Sequence, residues 1–190
     1  MTSSVEEENT FSSIFLGDDG VGKNALICRF VWDAFDGNYD PLAKRNSEVR
    51  LDDKVFHIDF LFCTEEYAAL NNHYKEMCDT CLLVYSVTQR ESFDAIDGYV
   101  KELVTLKKKE AQSIKMVLCG NKSDLAAERS VSAEEGMAMA ELLGCPFIET
   151  SAKTRENVDE VMRLLARRFL SPDPPSNSNV GMPKSRCIVC

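Results

Sequence analysis

Two kinds of apolar pattern run along the chain. One is the short, nearly continuous run. Phe11-Ser12-Ser13-Ile14-Phe15-Leu16, Cys81–Val87 and Ile114–Gly120 each read as a strand covered on both faces. The other is helical spacing. Leu26, Ile27, Phe30 and Val31 recur along Ala25–Trp32, and Val158, Val161, Leu164, Leu165 and Phe169 share one face of a helix expected from Thr154 to Leu170. Ser47–Leu51 and Lys54–Phe62 read as short strands joined across Asp52-Asp53 in a hairpin. Thr88-Gln89-Arg90-Glu91 and Ser132-Ala133-Glu134-Glu135 are capping-box patterns, predicting helices that run to about Glu110 and Gly144. Pro146–Thr150 is a short last strand. Residues 33–44, broken by Gly37, Asn38, Asp40 and Pro41, read as loop, and residues 64–77 as a loop leading into a short helix. Strands alternating with helices predict an α/β fold, a mostly parallel six-stranded sheet with helices on both faces. Ligands of such sheets bind at the carboxyl ends of the strands.

Composition sets the boundaries. Residues 1–9 are polar, with Val5-Glu6-Glu7-Glu8 acidic, and are expected to be disordered. Beyond Ser171 the chain turns to Ser, Pro, Asn and Gly, so residues 171–190 read as a flexible tail behind a single domain of residues 10–170. A net charge of −9 argues against nucleic acid and against unaided binding to anionic lipid. No apolar run is long enough to span a bilayer, and the N-terminus has no signal-peptide pattern. The eight cysteines are scattered, as in a reduced, cytosolic chain. Cys78 and Cys81 form a C-x-x-C without a second pair at metal spacing, which favours core packing over zinc or redox chemistry.

The chemistry concentrates in three loops at strand carboxyl ends. The first is Gly17-Asp18-Asp19-Gly20-Val21-Gly22-Lys23-Asn24, followed by Ala25, between a strand and a helix. Glycines let backbone N–H groups converge on an anion, the lysine adds positive charge, and the helix N-terminus adds unpaired donors, so this is a phosphate cradle. The pattern wants Ser or Thr after the lysine to ligate Mg²⁺; Asn24 offers a carbonyl oxygen on a longer arm and is the one metal-ligand candidate. The second loop is Asn121-Lys122-Ser123-Asp124 and the third Ser151-Ala152-Lys153. A carboxylate at Asp124 can accept two hydrogen bonds at once from a ligand edge that offers a donor pair.

In these three loops, in order and nearly at the expected spacing across residues 10–170, the chain resembles the Ras family of small GTPases. The resemblance implies a P-loop NTPase fold (a Ras-like G domain), GTP/GDP as ligand, and guanine recognition by Asn121, Lys122, Asp124, Ser151, Ala152 and Lys153. It also implies that Phe35 packs across the base. Asn121 would brace the loops, the Lys122 stem would cover one face of the base, and the Ala152 N–H would meet the guanine oxygen.

The departures from the family cluster on magnesium and hydrolysis. After Tyr39-Asp40-Pro41 the family has a metal-ligating threonine, and this chain has Leu42. Anchored on Glu65-Glu66-Tyr67, the family's Asp-x-x-Gly becomes Phe60-Leu61-Phe62-Cys63, and its water-positioning glutamine becomes Thr64, which is too short to reach. No catalytic residue is therefore assigned. Asp59 lies one residue early, on the other face of the strand unless a bulge intervenes. Asp19 replaces a glycine beside the γ-phosphate. The hairpin near Asp52-Asp53 is four residues shorter than the family's. These losses argue against an ordinary Mg²⁺ site and for slow or absent hydrolysis.

Ala43-Lys44-Arg45 stands where the family carries acidic residues, which reverses the local field toward partners expected at residues 38–47 and 63–77. The terminal Cys187-Ile188-Val189-Cys190 is a C-a-a-X box, which predicts prenylation of Cys187 and attachment to the cytoplasmic face of a membrane, the plasma membrane foremost, with a cytosolic fraction. Three readings stay open: a lipid-anchored guanine-nucleotide signalling protein; a non-enzymatic pseudo-GTPase serving as an interaction module; and, more distantly, a metabolic P-loop kinase.

Overall fold

The computed structural model describes residues 9–35, 46–61 and 68–172. Strands β1 (Thr10–Leu16), β2 (Asn46–Leu51), β3 (Lys54–Leu61), β4 (Thr80–Ser86), β5 (Met116–Asn121) and β6 (Phe147–Thr150) form one sheet in the order β2-β3-β1-β4-β5-β6. The β2–β3 pair is antiparallel and every other pairing is parallel. The helices are α1 (Lys23–Trp32), α2 (Ala68–Met77), α3 (Arg90–Asp94), α4 (Ile96–Lys107), α5 (Ala133–Leu143) and α6 (Val158–Leu170).

Every residue of β4 and β5 is buried, as continuous apolar strings in a doubly covered sheet require. One apolar layer joins Leu26 and Ile27 of α1 and Val161 and Leu165 of α6 to Phe56, Ile58 and Phe60 of β3. The other joins Ile96 and Leu103 of α4 and Ala140 and Leu143 of α5 to Leu83 and Leu118. Each such side chain contributes roughly 1.5–3 kcal/mol when fully buried, so the two layers hold the strand ends, and the loops that leave them, in fixed places.

The hairpin forms as its pattern predicts. Asp52 takes the left-handed conformation (φ 53°), which a short polar side chain tolerates, and β3 alternates between buried and partly exposed positions. Register between β1 and β3 runs unbroken from Thr10↔His57 to Ile14↔Leu61, with no bulge in those pairs. Phe60 therefore faces α1 and α6 and is 2% exposed, while Asp59, its neighbour, points to the other face.

Three boundaries differ from the sequence expectation. Thr88 does not cap a helix: its hydroxyl bonds the Ser86 hydroxyl at 2.9 Å, and Gln89 stands at the cap position without a side-chain bond. Ser92 takes over locally, accepting from Ser86 N (3.0 Å) and donating to Gln89 O (2.7 Å). The single helix expected to reach Glu110 is instead α3 and α4, meeting at Ala95 and ending before Lys108 (φ 51°). The last helix starts at Val158 rather than Thr154, because Arg155 (φ 69°) and Asn157 (φ 55°) are left-handed and Ser151 bridges to Glu156. Cys78 and Cys81 are buried and form no disulfide, and Cys78 Sγ donates to Lys75 O at 3.4 Å.

The second capping box is complete. Ser132 Oγ accepts from Glu135 N (3.2 Å), and Glu135 Oε2 accepts from Ser132 N (2.9 Å). Ser132→Ala removes one acceptor from a helix N-terminus and should cost about 1 kcal/mol in urea unfolding. An unchanged midpoint would show that α5 does not depend on its cap.

Candidate functional site

The loop between β1 and α1 is shaped by close approach. Gly17 (φ 147°) and Gly22 (φ 99°) both have positive φ, and a Cβ on Gly17 would lie 2.0 Å from the Val84 carbonyl oxygen. A Cβ on Gly22 would lie 2.3 Å from Asn121 Nδ2. No substituent fits at either place. Gly22 is also the N-cap of α1, and a glycine has no side chain to bond the first-turn N–H groups. Lys23 Nζ lies across the loop, donating to the carbonyls of Gly17 (2.7 Å) and Asp18 (2.8 Å), 3.7 Å from the Asp19 carboxylate. Asp18 is partly buried and accepts from the Tyr99 hydroxyl of α4 at 2.9 Å. Val21 is buried, while Asn24 is exposed.

Asn121 ends β5 and is 2% exposed. Its Nδ2 donates to Val21 O (2.8 Å), and its Oδ1 accepts from Thr150 Oγ1 (3.2 Å) and Ala152 N (3.3 Å). One side chain thus ties together the three loops that the sequence marked. The Ala152 N–H, expected to face a guanine oxygen, here meets Asn121. Asp124 Oδ1 accepts from Ser151 Oγ at 2.6 Å, and that hydroxyl accepts in turn from Thr154 N at 3.1 Å. A carboxylate has about four acceptor positions, so Asp124 retains the capacity for a donor pair. Lys122 takes a left-handed turn (φ 69°), and Lys153 is exposed.

Sequence reading missed a clamp beneath these loops. Arg29 of α1 donates from Nε to Ala152 O and from Nη2 to Lys153 O, both at 2.8 Å, and from Nη1 to the Asp33 carboxylate at 3.1 Å. Its guanidinium lies 5.8 Å from the centre of the Phe35 ring, which is 42% exposed. Arg155 bonds Asp33 Oδ1 (2.6 Å) and both oxygens of Asp159. The signal available was a lone arginine inside the apolar stretch Ala25–Trp32, with an aspartate four residues on.

The residues present do not fit an ordinary Mg²⁺ site. Phe60 is packed edge-on against Phe15 (5.7 Å between ring centres, 88° between planes) and Phe30 (6.5 Å, 80°). Asp59, its neighbour, faces away. Leu42, Cys63 and Thr64 lie outside the described residues, as do Tyr39-Asp40-Pro41, the Ala43-Lys44-Arg45 turn and the Cys187 tail motif.

The clamp carries a pH signature. Hydrogen bonds from Arg155 and then Arg29, together with their charges, hold the Asp33 carboxyl below its ordinary value of 3.8. A depressed folded-state pKa means the contribution is complete above that ordinary value and lost as pH falls through the folded-state value. Asp33→Asn should lower the melting temperature at pH 7 and flatten its decline below about pH 4. Parallel melting curves at pH 7 and pH 3 would refute this.

The profile of the Ras family matches residues 12–171 of the chain. Ras-like protein 1 of Saccharomyces cerevisiae is 40% identical over 161 residues, 83% of this chain and 52% of that protein, so the chain spans about half its length. Ras-like protein rasC of Dictyostelium discoideum is 35% identical over 183 residues, 93% of this chain and 96% of its own. Ras-related protein O-RAL of Diplobatis ommata is 38% identical over 177 residues, 90% of this chain and 85% of its own. A match that runs from β1 past the end of α6 takes in every strand and loop described above, and the chain belongs to the Ras family of small GTPases.

Proposed function

We propose that this protein binds guanine nucleotides mainly through its base side and turns GTP over slowly or not at all. The observation that carries the reading is the contrast between the two ends of the site. On the base side Asn121, Ser151 and Arg29 hold the loops around Asp124 by short hydrogen bonds. On the metal side Phe60 occupies the core position where the family has a carboxylate, and Asp18 and Asp19 set two negative charges against the one of Lys23.

Each residue then has a defined task. Asp124 accepts the guanine donor pair, the Lys122 stem covers the base, Lys153 and Ser151 hold their loop, and Phe35 flanks the base from beside Arg29. The N–H groups of residues 18–23, with Lys23, meet the first two phosphates. Phosphoryl transfer in this family depends on positioning and on cationic charge, and those are the parts replaced. The second reading, an interaction module with weak or no nucleotide binding, is favoured by the same aspartates and by Phe60. Nucleotide released from the purified protein by mild denaturation, resolved by ion exchange, decides between them.

Two further parts extend the proposal. The C-a-a-X cysteine Cys187 carries a prenyl group and holds the protein at the cytoplasmic face of a membrane, and the surfaces around residues 38–47 and 63–77 meet signalling partners. One lipid gives marginal attachment alone, and Lys184 and Arg186 supply only a thin basic flank.

Competition binding should show guanine preferred over adenine nucleotides, with Asp124→Asn abolishing the preference. GDP affinity should be nearly indifferent to EDTA, with GTP no better than GDP and single-turnover hydrolysis no faster than about 10⁻⁴ s⁻¹, the scale of intrinsic Ras hydrolysis. Strong magnesium dependence with faster turnover would mean that another group rebuilds the metal site. Separately, Cys187→Ser should move the protein from membrane to soluble fractions, and an intact mass from a eukaryotic host that lacks a prenyl group would refute the anchor.

A further inference from the structure

Asp18 and Asp19 set two carboxylates beside a loop shaped for anions, and the structure treats them differently. Asp19 is 92% exposed at its side chain, where water screens it, and sits 3.7 Å from Lys23 Nζ. Asp18 is partly buried, and its carboxylate turns to α4, where Tyr99 donates to Oδ1 at 2.9 Å. We propose that Tyr99 is a positioning residue for the phosphate loop: its hydroxyl holds the Asp18 carboxylate against α4 and out of the space a diphosphate would fill. This rests on the guanine-nucleotide reading above.

Three features make the hydroxyl a fixed hook. The ring packs against the apolar layer beneath α4, which sets its direction. The helix is itself tied to α2, through Lys75–Glu102 at 2.7 Å and through Lys107 Nζ, which donates to the carbonyls of Glu76 (2.9 Å) and Cys78 (2.7 Å). Burial first, then the bond to Asp18, pushes the phenol up to about 12, so it stays a donor throughout the physiological range. A charge-assisted bond of this kind fixes one rotamer of the acid. Released, the same carboxylate lies within a loop that already carries Asp19, and a partly buried negative charge beside an incoming phosphate is screened far less than an exposed one. Lys23 cannot neutralise both acids and the ligand together. The loop can therefore carry an aspartate at position 18 because α4 carries a tyrosine at position 99.

The test is a double-mutant cycle on GDP affinity by titration calorimetry in the full-length protein. Tyr99→Phe should weaken GDP about tenfold, the loss of one hydrogen bond to a charged group. Asp18→Ala should bind GDP at least as tightly as the unaltered protein, because it removes the charge itself. Tyr99→Phe in the Asp18→Ala background should then change affinity less than twofold. Unaltered affinity in Tyr99→Phe, a loss that persists in the Asp18→Ala background, or weaker binding by Asp18→Ala alone would each overturn the proposal while leaving the nucleotide reading intact. Failure of the unaltered protein to bind GDP would overturn both.

Discussion

The Asn121 carboxamide sits at the end of β5, where three loops that are distant in sequence meet, and it is buried. A buried amide with an unmade bond costs about 1–3 kcal/mol per group. Its partners lie on both sides in the chain: Val21 in the phosphate loop, 100 residues before it, and Thr150 and Ala152 at the end of β6, 29 and 31 residues after it. None of them can shift without leaving a polar atom unpaired. That constraint explains the glycine at position 22, since any side chain there would collide with the Asn121 amide. It also explains why the base loops stay ordered around Asp124 without the metal-side residues of the family.

Tyr99 and Arg29 work around this centre, one on each flank. Tyr99 draws the phosphate loop toward α4, and Arg29 holds the carbonyls of Ala152 and Lys153 from below. Both tether loop backbone or loop acid to a helix whose position is set by apolar packing. The nucleotide-facing loops thus inherit their geometry from the two core layers rather than from one another.

Much of this was legible in the chain and some was not, for a physical reason. Period and run length are local properties, so β2 and β3 could be read from alternation, and β4 and β5 from their continuous apolar strings. The Ser132 cap was legible because both halves of the bond lie within three residues. Thr88 presented the same pattern and failed, because Ser86 and Ser92 compete for the same groups at equally short range. The Arg29 clamp was hidden differently: its partners Ala152 and Lys153 lie more than 120 residues away, and both are backbone carbonyls, which carry no residue signature. The link between Asp18 and Tyr99 spans 81 residues and was invisible for the same reason. Identity was nevertheless plain, since the glycines, Asn121 and Asp124 are required by type.

Phe60 shows how the metal side could change while the fold persisted. The end of β3 faces α1 across from Phe15 and Phe30, and a carboxylate placed there without a cation carries a desolvation cost of several kcal/mol. An aromatic ring at the same place is stabilised by roughly 1.5–3 kcal/mol of burial and by two edge-on ring contacts. Unbroken register between β1 and β3 then commits the strand: Asp59 turns inward only with a bulge that displaces Phe60, or with a one-residue slip that would expose Phe60, Ile58 and Phe56 together. Position 60 is core, and the packing of its ring against Phe15 and Phe30 opposes a carboxylate there. A site that depends on Mg²⁺ must keep its carboxylate solvated or paired. A site that relies on Asn121 and Asp124 is free to fill that space with hydrocarbon.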